Sequence, residues 1–105
     1  MLAPILDISA HRHEGLALIV CRGEFDMTTA ESFRDVVDST IAHEPAELYV
    51  DCSHVTFIDS VGMRALLHTS ERCRDEGIVM TADLSRPVLR LFDAVGSTRD
   101  LKLAS

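Results

Sequence analysis

The stretch that decides the fold runs from residue 51 to residue 62 and reads DCSHVTFIDSVG. It follows the apolar, β-prone residues 48–50, and together they predict a buried strand, a short loop and the start of a helix. Asp59 suits the N-cap of that helix, because its carboxylate can accept a hydrogen bond from a first-turn N–H group. Ser60 then falls in the first turn, where N–H groups and the helix dipole favour an anion. The local chemistry therefore favours a phosphorylatable serine over a core serine.

Three segments of the chain resemble the STAS domain family, above all its bacterial anti-sigma factor antagonists. They are Asp59-Ser60-Val61-Gly62 after an apolar strand, Gly23-Glu24-Phe25-Asp26 before the first helix, and residues 86–96. The matches follow the family's order from residue 16 to the C-terminus. The resemblance implies a single STAS domain over residues 1–105. It also implies an α/β fold with a small mixed, largely parallel β-sheet of about four to five strands flanked by helices.

The same resemblance implies that the chain is a regulatory switch and not an enzyme. Unphosphorylated, it would bind an anti-sigma factor that is also a serine kinase, and so release a sigma factor. The kinase would supply ATP and Mg²⁺ and phosphorylate Ser60, a phosphatase would reverse the reaction, and the chain itself would hold no cofactor. Asp26, Asp59 and Gly62 are expected to support the phosphoacceptor site. Val61 departs from the small or polar residue of many relatives and narrows access to the helix start.

Several of these residues have a second interpretation. Asp26 could be an ordinary solvated turn residue, and Gly62 could serve close helix–sheet packing, either alone or together with the approach of a phosphate or partner. The polar face of the second helix, at Arg64 and His68 together with Met63, is predicted to border the docking surface. A polar helix face is also what simple solvation requires.

Two other functions stay open at this point. One is a STAS docking module in a stressosome-like scaffold or a lipid-transport assembly, without phosphorylation. The other is a small serine hydrolase with Ser60 as its nucleophile. The nucleophile elbow of such enzymes needs the pattern Gly-x-Ser-x-Gly, and Ile58 occupies the first glycine position.

Composition further limits the classes of protein to which the chain could belong. The chain has 105 residues, 47% of them hydrophobic, and a net charge of −7, which indicates one domain with its own core and argues against nucleic acid as a partner. No apolar run reaches the roughly 18 residues of a membrane span, and no signal peptide is apparent in the N-terminal residues, so a cytoplasmic protein is expected. Cys21, Cys52 and Cys73 are expected to be reduced core residues. The five histidines lack the spacing of a zinc site, so no metal is predicted.

Periodicity and caps place the remaining elements. Strands are predicted at residues 5–9, 16–21, 47–51, 78–82 and 101–103, with a polar turn over residues 11–15. The second strand is expected to be covered on both faces. A first helix starts at a capping box formed by Thr28 and Glu31, a second runs from Asp59 to Glu76, and a third is capped by Ser85.

Overall fold

The computed structural model describes residues 5–104, which form a mixed four-stranded sheet and three α-helices. The elements are β1 (Leu6–His13), β2 (Leu16–Phe25), α1 (Ala30–Ile41), β3 (Glu47–Ile58), α2 (Ser60–Asp75), β4 (Val79–Leu84) and α3 (Arg86–Ala94), followed by a short 3-10 helix at Thr98–Asp100. The strands lie in the order β1-β2-β3-β4, with β1 antiparallel to β2 and the other pairs parallel. The predicted α/β fold with a mixed, largely parallel sheet is confirmed.

One face of the sheet carries the core. The side chains that β2, β3 and β4 bury on this face are Ala17, Ile19, Cys21, Leu48, Val50, Cys52, Met80, Ala82 and Leu84. Helices α1 and α2 pack against it and against each other. The alternate residues of the same strands, such as Leu18, Tyr49 and Thr81, stay partly exposed on the opposite face. The expectation that β2 is covered on both faces is therefore wrong, because its apolar residues alternate between a covered face and an open one.

The strands are longer than predicted. The expected turn over residues 11–15 shrinks to Glu14 and Gly15, both with positive φ (46° and 85°), because residues 11–13 pair with residues 16–18. The loop expected after residue 51 is instead a continuation of β3 to Ile58, which pairs with Phe25. Both strands continue because two register shifts between them, each with one extra residue in β3, keep them paired beyond the point where the apolar pattern breaks.

The helix starts agree with the sequence only in part. Asp59 caps α2 as predicted, and α3 begins after Ser85 with Pro87 in its first turn. The Ser85 hydroxyl makes no capping bond, however. The N-cap of α1 is Thr29 and not Thr28, because the Thr28 hydroxyl donates to the carboxylate of Asp26.

The end of the chain lies beside β4. The final strand predicted at residues 101–103 is reduced to a single parallel bridge between Ala82 and Leu103. All three cysteines are buried and carry free thiols, and hydrogen bonding to Cys21 together with burial raises the pKa of the Cys52 thiol. Within residues 5–104, none of the helices has the length and hydropathy needed to cross a membrane.

Candidate functional site

The candidate site is the junction at which β3 ends and α2 begins. Ser60 is the first residue of α2, and it is exposed to solvent. Asp59 precedes it with extended backbone, and its Oδ1 accepts the N–H groups of Val61 and Gly62, each at 2.9 Å. These first-turn donors are therefore already bonded to a carboxylate. The Ser60 side chain projects from a helix start whose geometry does not depend on it.

The second carboxylate oxygen of Asp59 joins this helix start to the β2–α1 loop. Asp59 Oδ2 accepts the N–H of Met27 at 3.0 Å. The Asp59 N–H donates in turn to the carbonyl of Phe25 at 3.2 Å. One residue thus connects two segments that are 32 positions apart in the chain, and the loop is held beside Ser60.

Asp26 organises the same loop internally. Its Oδ1 accepts the N–H of Thr28 at 2.9 Å and the Thr28 hydroxyl at 2.6 Å. The Thr29 hydroxyl accepts the N–H of Asp26 at 3.0 Å and donates to the carbonyl of Glu24 at 2.8 Å. The Thr28 hydrogen bond is the main cause that lowers the pKa of Asp26 below its usual value. The carboxylate of Asp26 is therefore ionised, and it directly precedes Met27, whose N–H is bonded to Asp59.

Gly62 faces the interior of the domain. A Cβ atom at this position would lie 2.8 Å from Cδ1 and 3.0 Å from the carbonyl carbon of Phe25, and nearer still to the Phe25 carbonyl oxygen. This geometry supports the close-packing interpretation of Gly62. The missing side chain allows α2 to begin directly against the end of β2.

The outer face of α2 continues from the phosphoacceptor candidate. Ser60, Arg64 and His68 are exposed and spaced four residues apart, so they form one row along the helix. Met63 differs from them, because it is partly buried and packs against the core. His68 also borders a shallow groove of about 160 Å³ between α1 and α2. Of the residues predicted for the docking surface, the structure places Arg64 and His68 on the open face and Met63 at its inner margin.

Two apolar side chains near the site escaped the sequence reasoning. Met27 is 67% exposed in the loop that Asp59 holds, and Phe57 is 48% exposed two residues before Asp59. The sequence carried one signal for Met27, namely an apolar residue within a polar turn. Phe57 gave none, because an aromatic residue in a strand is the usual sign of a core position.

The family of the chain follows from comparison with known sequences. The sequence model of the STAS domain matches residues 7–105. The chain belongs to the STAS domain family. The match extends over the whole candidate site, so Ser60 and Asp59 lie within a STAS domain and at the start of its second helix.

Three relatives of this STAS domain are anti-sigma factor antagonists by name. The anti-sigma-F factor antagonist RsfB of Mycobacterium tuberculosis is 29% identical over 90 residues, which are 83% of this chain and 74% of RsfB. RsfA of the same species is 29% identical over 94 residues, covering 87% of this chain and 73% of RsfA. The crystal structure of an anti-sigma factor antagonist from Mycobacterium paratuberculosis has a TM-score of 0.80 at 26% identity, over 93% of this chain and 84% of that one.

A contact between a serine and a histidine elsewhere in this STAS domain bears on the alternative of a serine hydrolase, because such enzymes use this pair of side chains. Ser53 Oγ lies 3.1 Å from Nδ1 of His54 and donates to Oδ1 of Asp51 at 2.6 Å. A catalytic triad requires the imidazole to stand between the hydroxyl and the carboxylate. Here the hydroxyl stands in the middle, and its proton is directed to Asp51. The contact holds the β3 backbone, since Asp51 also accepts the Ser53 N–H at 2.9 Å.

Replacement of Asp59 by alanine is expected to lower the free energy of unfolding by about 1–2 kcal/mol, as the loss of an N-cap side chain does. Three backbone N–H groups lose their acceptor in this variant, those of Met27, Val61 and Gly62. Urea denaturation of the wild type and the variant measures the difference.

Asp59→Asn is the matched control for this experiment. Asparagine is as good an N-cap as aspartate, so its amide oxygen should keep the α2 bonds and most of the stability. Its NH₂ group cannot accept the Met27 N–H, and amide hydrogen exchange at Met27 should therefore accelerate in both variants. Equal loss of stability in the two variants would show that the cap is not what Asp59 contributes.

Proposed function

We propose that this chain is an anti-sigma factor antagonist that is switched by phosphorylation of Ser60. In the unphosphorylated state it binds an anti-sigma factor with serine kinase activity in the cytoplasm, and the sigma factor is released. The observation that carries this proposal is the exposed hydroxyl at the first residue of α2, in a domain whose relatives RsfB and RsfA are named anti-sigma-F factor antagonists.

The chain itself contributes presentation and no catalytic chemistry. The Ser60 Oγ attacks the γ-phosphoryl group of ATP bound with Mg²⁺ to the kinase, the bond to ADP breaks, and the hydroxyl proton passes to a base of the kinase. A phosphatase returns the serine by hydrolysis. The site suits this role because Asp59 fixes the helix start through backbone bonds and leaves the serine side chain in solvent.

A phosphate on Ser60 would change the surface more than the fold. The N–H groups of Val61 and Gly62 are occupied by Asp59, so they are not available to enclose the new anion. The dianion would stand beside the carboxylate of Asp59, with the positive end of the helix dipole as partial compensation. A docked partner would then face a concentrated negative charge.

The docking surface in this proposal extends from Ser60 along the open face of α2. Arg64 and His68 continue the exposed row, and Met63 lies at its inner margin. Two exposed apolar side chains add to the proposal, that of Met27, whose N–H is bonded to Asp59, and that of Phe57, three residues before Ser60. Exposed apolar groups rimmed by polar ones are typical of protein–protein contacts.

Charge reversal at Arg64 is expected to weaken binding of the anti-sigma factor about tenfold, as loss of a rim charge and gain of a like charge can do. Arg64 is exposed, so circular dichroism and the melting temperature should not change. Arg90→Glu on the exposed side of α3 is the matched control. Unchanged affinity for Arg64→Glu together with a loss for Arg90→Glu would move the interface to α3.

The test of the function combines the purified chain with a kinase-domain anti-sigma factor of the source organism, with and without ATP and Mg²⁺. The expected result is a stable complex without ATP, and release together with one phosphate on Ser60 when ATP is added. Ser60→Ala should form the complex and resist release. Stable binding with no phosphate on any residue would favour the alternative of a STAS docking module. Phosphate on Ser53, Thr56 or Ser85 and none on Ser60 would refute the site.

A further inference from the structure

The sheet has two edges, and they differ in how they are covered. At β4, the Ala82 N–H donates to the carbonyl of Lys102 at 3.0 Å and the Ala82 carbonyl accepts the N–H of Ala104 at 2.8 Å. At the other edge, no segment within residues 5–104 pairs with the outer side of β1. This strand has eight residues, and from Ser9 onward all of them are exposed. An exposed edge of this length is a template for pairing with another strand.

The backbone groups that face the free edge can be identified from the pairing of β1 with β2. The Glu24 N–H donates to the carbonyl of Ile5 at 3.3 Å, and the regular register of the two strands places these residues opposite each other. Bonded and non-bonded pairs alternate in an antiparallel ladder. The odd-numbered residues of β1 therefore bond to β2, and the even-numbered residues direct their N–H and C=O groups outward. The outward-directed residues are Leu6, Ile8, Ala10 and Arg12.

We propose that this chain forms a symmetric dimer by antiparallel pairing of β1 with β1 of a second copy. A twofold axis normal to the sheet leaves every side chain on the same face of the combined sheet as in the monomer. Residues that oppose each other share a face, so both must be odd-numbered or both must be even-numbered. The register centred on Ser9 uses every outward-directed residue. It opposes Leu6 to Arg12 and Ile8 to Ala10 of the second copy, and each such pair exchanges both of its N–H···O bonds. The two sheets then become one continuous sheet.

Charge complementarity supports a second copy as the occupant of this edge. In the register centred on Ser9, Asp7 lies directly opposite His11 of the second copy, and the symmetry repeats this pair. It is a non-hydrogen-bonded pair, in which the side chains come closest. Opposite charges at such positions stabilise the pairing of two strands. The same eight-residue strand thus carries both members of a self-complementary pair.

The pair makes the dimer sensitive to pH. Two of the groups that face His11 carry no charge, Leu18 on β2 and Ser9 on β1. A third, His13 on β1, is ionisable, and its Nε2 lies 3.8 Å from Oε2 of Glu14. Asp7 of the second copy faces it directly, with Arg22 of β2 behind that carboxylate. A facing carboxylate attracts an imidazole in its protonated, charged form, so the dimer is tighter at pH 6 than at pH 8.

The experiment is sedimentation equilibrium of the full chain over a series of concentrations at pH 6 and pH 8. Dimer is expected at pH 6, with weaker association at pH 8. Asp7→Lys and His11→Glu should each weaken the dimer about tenfold, and the double variant should restore it, because the swapped charges again oppose each other. Asp75→Lys, at the exposed end of α2, is the matched charge control and should leave association unchanged.

A backbone probe tests the edge independently of charge. Ala10→Pro removes an outward N–H that β2 does not use, so it should abolish the dimer and preserve the monomer fold. If this variant fails to fold, the charge swap alone decides. A wild-type chain that stays monomeric at both pH values up to millimolar concentration would overturn the proposal. So would a dimer that tolerates Ala10→Pro or is not restored by the charge swap.

Discussion

Phosphorylation of Ser60 is expected to weaken binding of the anti-sigma factor by about a hundredfold or more, which corresponds to about 3 kcal/mol. Phosphoserine carries about −1.5 to −2 charges at neutral pH. The charge would appear on an exposed residue beside the carboxylate of Asp59. A partner that covers Ser60 would have to desolvate both groups, and like charges brought together in an interface cost several kcal/mol.

The fold should survive this modification. The bonds that hold the start of α2 are donated by backbone N–H groups to the Asp59 carboxylate, and the Ser60 side chain is not part of them. The positive end of the helix dipole favours an added anion by about 0.3–1 kcal/mol. The melting temperature of the phosphorylated chain should therefore stay close to that of the unmodified chain.

Isothermal titration calorimetry with the purified anti-sigma factor measures the effect. Ser60→Ala should bind as the wild type does, and Ser60→Glu should bind more weakly than wild type but more tightly than the phosphorylated chain, because glutamate carries a single charge. Ser39→Glu makes the same chemical change on the exposed face of α1 and should leave affinity unchanged. The switch is refuted if the phosphorylated chain and Ser60→Glu both bind with wild-type affinity.

Local sequence rules predicted the helices of this domain better than its strands. Helix α2 ends one residue before the expected Glu76, and Gly77 follows with the positive φ (73°) that a helix end favours. Both are local events within a few residues. The extension of β3 to Ile58 depends on pairing with the end of β2, which is a long-range event. Asp51, Ser53 and His54 interrupt the apolar pattern of residues 48–50, so this pattern did not extend the strand to residues 54–57, where polar and apolar residues alternate again.

The difference between local and long-range contacts also explains which parts of the candidate site could be predicted. Asp59 as N-cap and Ser60 as first helical residue follow from neighbouring residues and were predicted. The bond from the Met27 N–H to the Asp59 carboxylate joins positions 32 apart, and no local pattern encodes it. Gly62 lies between these cases, since the sequence allowed close packing, access for a ligand, or both. Only the position of the Phe25 carbonyl distinguishes them.

Gly62→Ala is expected to destabilise the domain by about 2 kcal/mol, although alanine is the better helix former. Overpacking costs about 1–3 kcal/mol, and the upper end applies here because the new methyl meets the backbone of Phe25, which cannot rotate away. The gain in helix propensity offsets about 0.5–1 kcal/mol of this. For a domain of this size, the melting temperature should fall by roughly 8–16 °C, and differential scanning calorimetry measures it.

Gly96→Ala is the control, because it separates the clash from the general cost of replacing a glycine. Gly96 has a positive φ of 73°, and a Cβ there meets nothing within 4 Å. That variant carries only backbone strain of about 1 kcal/mol. Relief of the clash at residue 62 requires the first turn of α2 to move away from β2, which strains the bond from the Asp59 N–H to the Phe25 carbonyl. Gly62→Ala should therefore accelerate amide exchange at Asp59, and Gly96→Ala should not. A Gly62→Ala variant that melts at or above the wild-type temperature would mean that helix propensity outweighs the contact, and that α2 does not depend on close approach to Phe25.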